Sequence, residues 1–184
     1  MDVFVEQIIA KRKTPKDLIL CILISLAIPV ISFVALVFLK SFAIFVFAGG
    51  CYGAWFLISG MNIEYEYSVT NGDLTIDKII AKRKRKRVVN LDCKSIEAFG
   101  VYDPKKFANR SFDNRFIVGS HELSPGQWYA TVRHKKFNHT LIVFEPEQRV
   151  LDALKPFLPK LVAIEAFKGM KGNTGGNTGD GTMS

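Results

Sequence analysis

The sequence predicts a two-helix transmembrane hairpin followed by a mainly-β domain closed by a C-terminal helix. Three observations carry this. Two uncharged runs, 18–39 and 42–61, are separated only by Lys40-Ser41. From Ile63 the apolar residues alternate at every second position, interrupted by Asn71-Gly72. After Pro146 the apolar spacing changes to three and four residues.

The first run holds 22 residues without a charge, about 33 Å as helix, which matches a hydrocarbon core of about 30 Å. The second holds 20 and is also long enough. In lipid every backbone amide must be satisfied within its own segment, so helices are expected. A two-residue link leaves room only for a hairpin. Core helices of soluble proteins are usually amphipathic, whereas uncharged runs of this length read as spans. The first run also exceeds the roughly 7–15 apolar residues of a signal peptide, and no small-x-small cleavage pattern precedes a mature domain, so the segment is read as retained. Neither run carries Asp, Glu, Lys, Arg or His; such groups mark ion paths and proton relays, so their absence argues against a transporter or pump. Gly49 and Gly53 form G-x-x-x-G, and Gly50 and Ala54 repeat the spacing. Small residues let helix backbones approach, here expected against the chain's own first span, with a dimer as the alternative. Pro29 should kink the first helix.

Residues 1–17 form a basic N-terminal segment with Lys11, Arg12, Lys13 and Lys16, while the turn carries only Lys40. Of 25 Lys and Arg, five precede Asn62 and 20 follow; of 17 Asp and Glu, three precede and 14 follow. Basic residues near span ends stay cytoplasmic. The expectation is a multi-pass protein of the cell membrane with both termini in the cytoplasm. Cys21 and Cys51 lie in the spans and Cys93 in the domain, so no paired framework exists and a reducing compartment suits Cys93.

Residues 62–168 can form one small domain. Ile63, Tyr65, Tyr67 and Val69 share one face of the opening strand, which leaves Glu66 on the opposite, solvent side. Asn71-Gly72 is a strong hairpin signal, and the return strand is 74–80. Further strands are expected at 87–91, 95–102, 115–119, 127–134 and 140–145, seven in all. The polar link 103–114, with two lone phenylalanines, reads as a loop. Glu145-Pro146 opens a helix whose apolar side is Val150, Leu151, Leu154, Phe157 and Leu158; Pro156 and Pro159 should kink or end it. The tail, 169–184, repeats Gly-Asn-Thr-Gly and is expected to be disordered.

Seven antiparallel strands closed by one helix is the layout of a pleckstrin-homology (PH)-like barrel. The block Tyr67-Ser68-Val69-Thr70-Asn71-Gly72-Asp73-Leu74-Thr75-Ile76 resembles the first hairpin of bacterial PH-like domains. Leu141-Ile142-Val143-Phe144-Glu145-Pro146, leading into Val150-Leu151-Asp152-Ala153-Leu154, resembles their last strand and capping helix. With a short N-terminal helix, two spans and the run from Asp77 to Arg87, the chain is similar to an uncharacterised family of small two-span membrane proteins of Gram-positive anaerobes. That resemblance covers about residues 1–160 and implies architecture and membrane location, with no catalytic residues.

The basic run Lys82, Arg83, Lys84, Arg85, Lys86 and Arg87 is the candidate binding site. In a half-buried strand every second one would point inward, and unpaired buried cations are prohibitive. The run must therefore project at a hairpin end or lie along an exposed edge, where charge also blocks strand addition. It starts about 20 residues after the second span, and cations near anionic lipid gain about 1 kcal/mol each. A solvated hairpin tip is the plain alternative. Nucleic acid is a third possibility on charge alone, and the spans argue against it.

No catalytic or metal residues are assigned and no cofactor is expected. His121, His134 and His139 lack a completing cluster, whereas structural zinc takes four ligands. Ser120-His121-Glu122 with Asp113 has triad letters without a nucleophile elbow. The pairs Asp92 with Glu97 and Glu145 with Glu147 mean nothing without a pocket. No phosphate-binding glycine motif is present. The sequence thus points to a non-enzymatic binding or scaffold module that takes a protein partner, anionic lipid headgroups or both. The alternative is an accessory subunit of a membrane enzyme or transport complex.

Overall fold

The computed structural model describes residues 3–121, 123–134 and 138–168, so the tail 169–184 lies outside the described residues. Strand β1 (Phe4–Ala10) opens the fold. Here the structure departs from the reading of 1–17 as a segment outside the β domain, and from a short N-terminal helix. Val5, Gln7 and Ile9 face inward along β1, and Gln7 at the centre is a polar residue that hides the apolar alternation.

Thr14 caps helix α1 (Pro15–Leu39): its Oγ1 accepts from the Asp17 N–H, while the Thr14 N–H donates to Asp17 Oδ2 at 2.9 Å. A 3₁₀ turn, Lys40–Phe42, leads to helix α2 (Ala43–Gly60). The helical stretch Pro15–Gly60 is long and apolar enough to cross a membrane by length and composition. The two helices lie against each other. Cys21 Sγ is 3.9 Å from Met61 Sδ, and a Cβ at Gly50 would sit 3.5 Å from Ile28. Ala54 is buried beside it, whereas a Cβ at Gly49 or Gly53 would meet nothing within 4 Å. The self-packing small residues are therefore Gly50 and Ala54, one position along from the G-x-x-x-G.

Strands β2 (Ile63–Thr70), β3 (Asp73–Ile80) and β4 (Lys84–Asp92) complete an antiparallel sheet in the order β1-β2-β3-β4. Asn71 and Gly72, both at positive φ, make the expected two-residue hairpin. Gly72 is required there, since a Cβ would come within 2.8 Å of the Phe157 ring at a φ of +96°. Because β1 pairs with β2 from Phe4↔Thr70 to Ala10↔Glu64, the helices α1 and α2 form the connection of a β-hairpin.

Strand β5 (Ile96–Val101), a short helix α3 (Pro104–Phe107), and strands β6 (Asn114–Val118), β7 (Trp128–His134) and β8 (Asn138–Phe144) follow. They form a second sheet, β5-β7-β8-β6, in which β6 runs parallel to β8. The expected seven-strand antiparallel barrel is thus corrected to two four-stranded sheets among the described residues. All seven expected strands are present, with β6 close to the expected 115–119; the eighth strand, β1, and the parallel direction of β6 both come from long-range pairing that periodicity cannot reveal. The link 103–114 is also not a free loop. Phe107 is buried on Leu141 and Val143, with Phe112 packed against it, and Arg115 Nη2 donates to the Phe107 carbonyl at 3.0 Å and to that of Arg110.

The core lies between the sheets around Tyr67, Ile76, Ile142 and Phe144, closed by helix α4 (Gln148–Leu154), whose Val150 and Leu154 are fully buried. A 3₁₀ turn at Lys155–Phe157 breaks the helix, as proline there requires. Helix α5 (Lys160–Lys168) then covers β5, its Phe167 ring 5.5 Å from Trp128 and 6.3 Å from Phe99.

Candidate functional site

Register decides where the basic run lies. Ala10 pairs with Glu64, Ile63 with Ile80, and Ile80 with Lys84. All five mark one end of the first sheet, the end from which both helices leave. The Lys11 N–H donates to the Ile63 carbonyl at 2.9 Å, the Arg12 N–H to Ser120 at 2.8 Å and the Ala81 N–H to Asn62 at 2.8 Å. The helix bases are thus fastened directly to the domain, and the β3–β4 turn sits beside them.

That turn holds Ala81, Lys82 and Arg83, with Ala81 at φ 54° and Lys82 at φ 56°. Left-handed backbone costs an L-residue roughly 1–2 kcal/mol, and strain of this kind gathers at functional positions. Lys84, Arg85, Lys86 and Arg87 begin β4, an edge strand, and all four are exposed. Val89 and Leu91 point into the core, and unbroken alternation would send Arg87 and Arg85 after them. A β-bulge prevents this. Ile76 pairs with Val89 but Asp77 with Arg87, leaving Val88 extra, and one extra residue switches the phase of the strand.

Arg85 and Arg87 therefore emerge on the outer face, where carboxylates meet them. Arg85 Nη2 lies 2.6 Å from Glu66 Oε2, and Arg87 Nε 3.1 Å from Asp77 Oδ1. The hydrogen bond and charge of Asp77 hold Arg87 more firmly protonated than usual. Glu66 and Asp77 are only 5% and 6% exposed at their side chains. Glu66 is thus not a solvent-facing residue: the arginine stems cover it. Lys82 Nζ lies 3.8 Å from Glu64. Arg83 takes another partner, its guanidinium 5.3 Å above the Trp55 ring and 5.6 Å from Phe56, both on α2.

The six residues of the run are accordingly not equivalent. Lys82, Arg83 and Lys84 gather at the helix base. Arg85, Lys86 and Arg87 recede along β4 at about 3.3 Å per residue, and the two arginines there are tied to buried carboxylates. Sequence reasoning missed these counterions. Their signal was faint, since Glu66 and Asp77 stand on two different strands and meet Arg85 and Arg87 only through the sheet register.

A cleft of about 210 Å³ opens between the helix base and the turn, lined among others by Lys11, Ser59, Asn62, Glu64 and Lys82. A second polar cluster lies deeper. Gln7 is buried; its Nε2 donates to the Glu145 carbonyl at 3.0 Å and its Oε1 accepts from the Glu147 N–H at 2.8 Å. Tyr67 Oη donates to the Val118 carbonyl and accepts from the Glu145 N–H at 3.3 Å. Glu145 Oε2 accepts from the N–H and Oγ of Ser120 at 3.0 and 2.8 Å. Ser120 is thus engaged with Glu145, and His121 Nδ1 accepts from the Leu123 N–H at 3.3 Å; Glu122, the third of the triad letters, lies outside the described residues. His139 packs on Phe112 at 4.8 Å and its N–H donates to Asp113 at 3.0 Å; the side chain of His134 lies outside the described residues.

The family described as Bacterial PH-like domain (DUF6106) matches residues 1–164. No curated protein matches, and no solved structure does.

Proposed function

As the chain belongs to the bacterial PH-like domain family, we propose that it is a membrane-anchored, non-enzymatic binding module. In this reading α1 and α2 each cross the cell membrane, both termini stay in the cytoplasm, and the basic turn meets anionic lipid headgroups. The observation that carries it is Arg83 lying across Trp55 and Phe56. Trp is enriched where a span meets the membrane–water interface, and these rings sit about one turn before the end of α2 at Gly60. A guanidinium stacked on them is at headgroup depth. The uncharged helix faces and the basic flank Lys11, Arg12, Lys13 and Lys16 support the same orientation.

Distance limits the lipid contact to part of the run. Charges fade within about 8–10 Å in physiological salt, and Arg87 lies three residues, about 10 Å of strand, beyond Lys84. Lys82, Arg83 and Lys84 are the lipid-facing residues, and Arg85 and Arg87 hold the sheet together.

A protein partner is favoured by a separate surface. On α5, Leu161 and Ile164 are 81% and 65% exposed, one helical turn apart on the side away from β5. Docking there suits a scaffold, or an accessory subunit of a membrane enzyme or transport complex.

The test has two arms. Ser41→Cys should react with an impermeant maleimide in intact cells; labelling only after lysis would remove the proposed topology. The full chain in nanodiscs containing phosphatidylglycerol should bury Arg83 from arginine-modifying reagents more than in phosphatidylcholine alone, with the difference shrinking as salt rises. Equal modification in both would remove the lipid contact.

A further inference from the structure

The cleft at the helix base carries an inference that rests on the membrane reading above. Its lysines come from opposite directions. Lys11 precedes α1, and Lys82 belongs to the strained β3–β4 turn. Against these two cations the described lining sets one carboxylate, Glu64, which is 21% exposed and held 3.8 Å from Lys82. The balance is one net positive charge. Ser59 and Asn62 add a hydroxyl and an amide. Two nearby backbone donors are already used, Lys11 N–H by Ile63 and Ala81 N–H by Asn62, so the charge for a ligand comes from the side chains.

We propose that this cleft is a discrete site for the phosphate of one anionic membrane lipid, bound by Lys11 and Lys82 with Ser59 and Asn62 as neutral partners. Its volume of about 210 Å³ accepts a phosphate ester and the carbons joined to it. Its level decides the source of that phosphate. Ser59 stands one turn beyond Trp55 on α2, where the apolar stretch ends, so a headgroup can enter while its acyl chains stay beside the helices. The net positive lining disfavours a headgroup that carries its own quaternary ammonium. This differs from diffuse attraction by the turn, because it enlists Lys11, outside the run, and leaves out Lys86.

The experiment uses the full chain in nanodiscs of phosphatidylcholine with a minority of phosphatidylglycerol, delipidated gently and weighed by native mass spectrometry. One retained phosphatidylglycerol per chain is expected. Lys11→Gln and Lys82→Gln should each weaken its retention by about fivefold, the factor equivalent to about 1 kcal/mol per cation at an anionic surface. Lys11→Arg should keep it and Lys86→Gln should change it less than twofold. Unchanged retention in Lys11→Gln and Lys82→Gln, in chains that still insert, overturns the site and leaves the membrane reading standing. Equal retention of phosphatidylcholine also overturns it. Protection of both lysines from acylation by inorganic phosphate, in detergent without lipid, overturns the lipid assignment in favour of a free anion. A chain that fails to insert overturns both readings.

Discussion

Glu66→Lys discriminates sharply between an exposed and a covered carboxylate. On an open strand face the change would stay within about 0.5 kcal/mol. Here Glu66 is 5% exposed and 2.6 Å from Arg85. Losing a charge-assisted hydrogen bond costs about 1.5–3 kcal/mol. The new ammonium also faces the Arg85 guanidinium. At about 4 Å and an effective dielectric near 20 the repulsion would reach about 4 kcal/mol. Most of that is relieved, because Arg85 is 58% exposed and can swing into water, while lysine extends its stem outward. About 1 kcal/mol is left, for a total near 3 kcal/mol. For a folded unit of this size that lowers the melting temperature by roughly 10 °C. Glu66→Gln, which keeps shape and loses charge, should cost about half as much. Combining Glu66→Lys with Arg85→Glu should recover at least 1 kcal/mol, the signature of direct coupling. The assay is thermal unfolding of the full chain in detergent micelles, followed by fluorescence of the buried Trp128. A melting temperature for Glu66→Lys within 2 °C of the parent would refute the covered ion pair.

Other outcomes follow from single features. Ala81→Gly should stabilise the protein by about 1 kcal/mol, because glycine adopts φ 54° without the clash that alanine meets; denaturant midpoints would read this. Burial, aided by Asp92 and Asp73, pushes the Cys93 thiol up to about 12. Its neutral form is thus favoured by folding, so this contribution is intact below the unfolded thiol's pKa of about 8.5 and is lost as pH rises from there toward 12. Alkylation at pH 8, in a chain with Cys21 and Cys51 replaced by alanine, should be slow until denaturant is added. Gln7→Leu strands the Glu147 N–H and the Glu145 carbonyl and should cost about 2–4 kcal/mol, visible as early proteolysis. A chain in which residues 13–61 are replaced by a short glycine turn should fold as a β-rich unit, whereas residues 62–168 alone should not, because they lack β1; circular dichroism and protease resistance separate the two.

Legibility in the sequence followed the range of the interactions. The Asn71-Gly72 hairpin, the break in the last helix at its prolines and the inward face of Tyr65, Tyr67 and Val69 rest on contacts within a few residues, and periodicity reports those. β1 was missed because its pairing partner lies some 60 residues away and its central inward residue is Gln7, satisfied by Glu145 and Glu147 about 140 positions on. The parallel pairing of β6 with β8 has no local cue. At the candidate site the exposure of the basic run could be argued from the cost of burying cations. The bulge at Val88 and the cover over Glu66 could not, since both depend on the register between β3 and β4.

The placement of the two helices between β1 and β2 has a consequence for how the chain is made. β1 leaves the ribosome first and must wait for some 50 residues before its partner appears. If both helices cross the membrane, the two strands arrive in the same compartment and zip along seven paired positions. If only one crosses, β1 is stranded on the far side, Gln7 never reaches Glu147, and the β domain keeps an open edge and an incomplete core. On the proposed topology, correct insertion is thereby a precondition of folding, and a wrongly threaded chain declares itself to the cell's proteases as an unfinished domain.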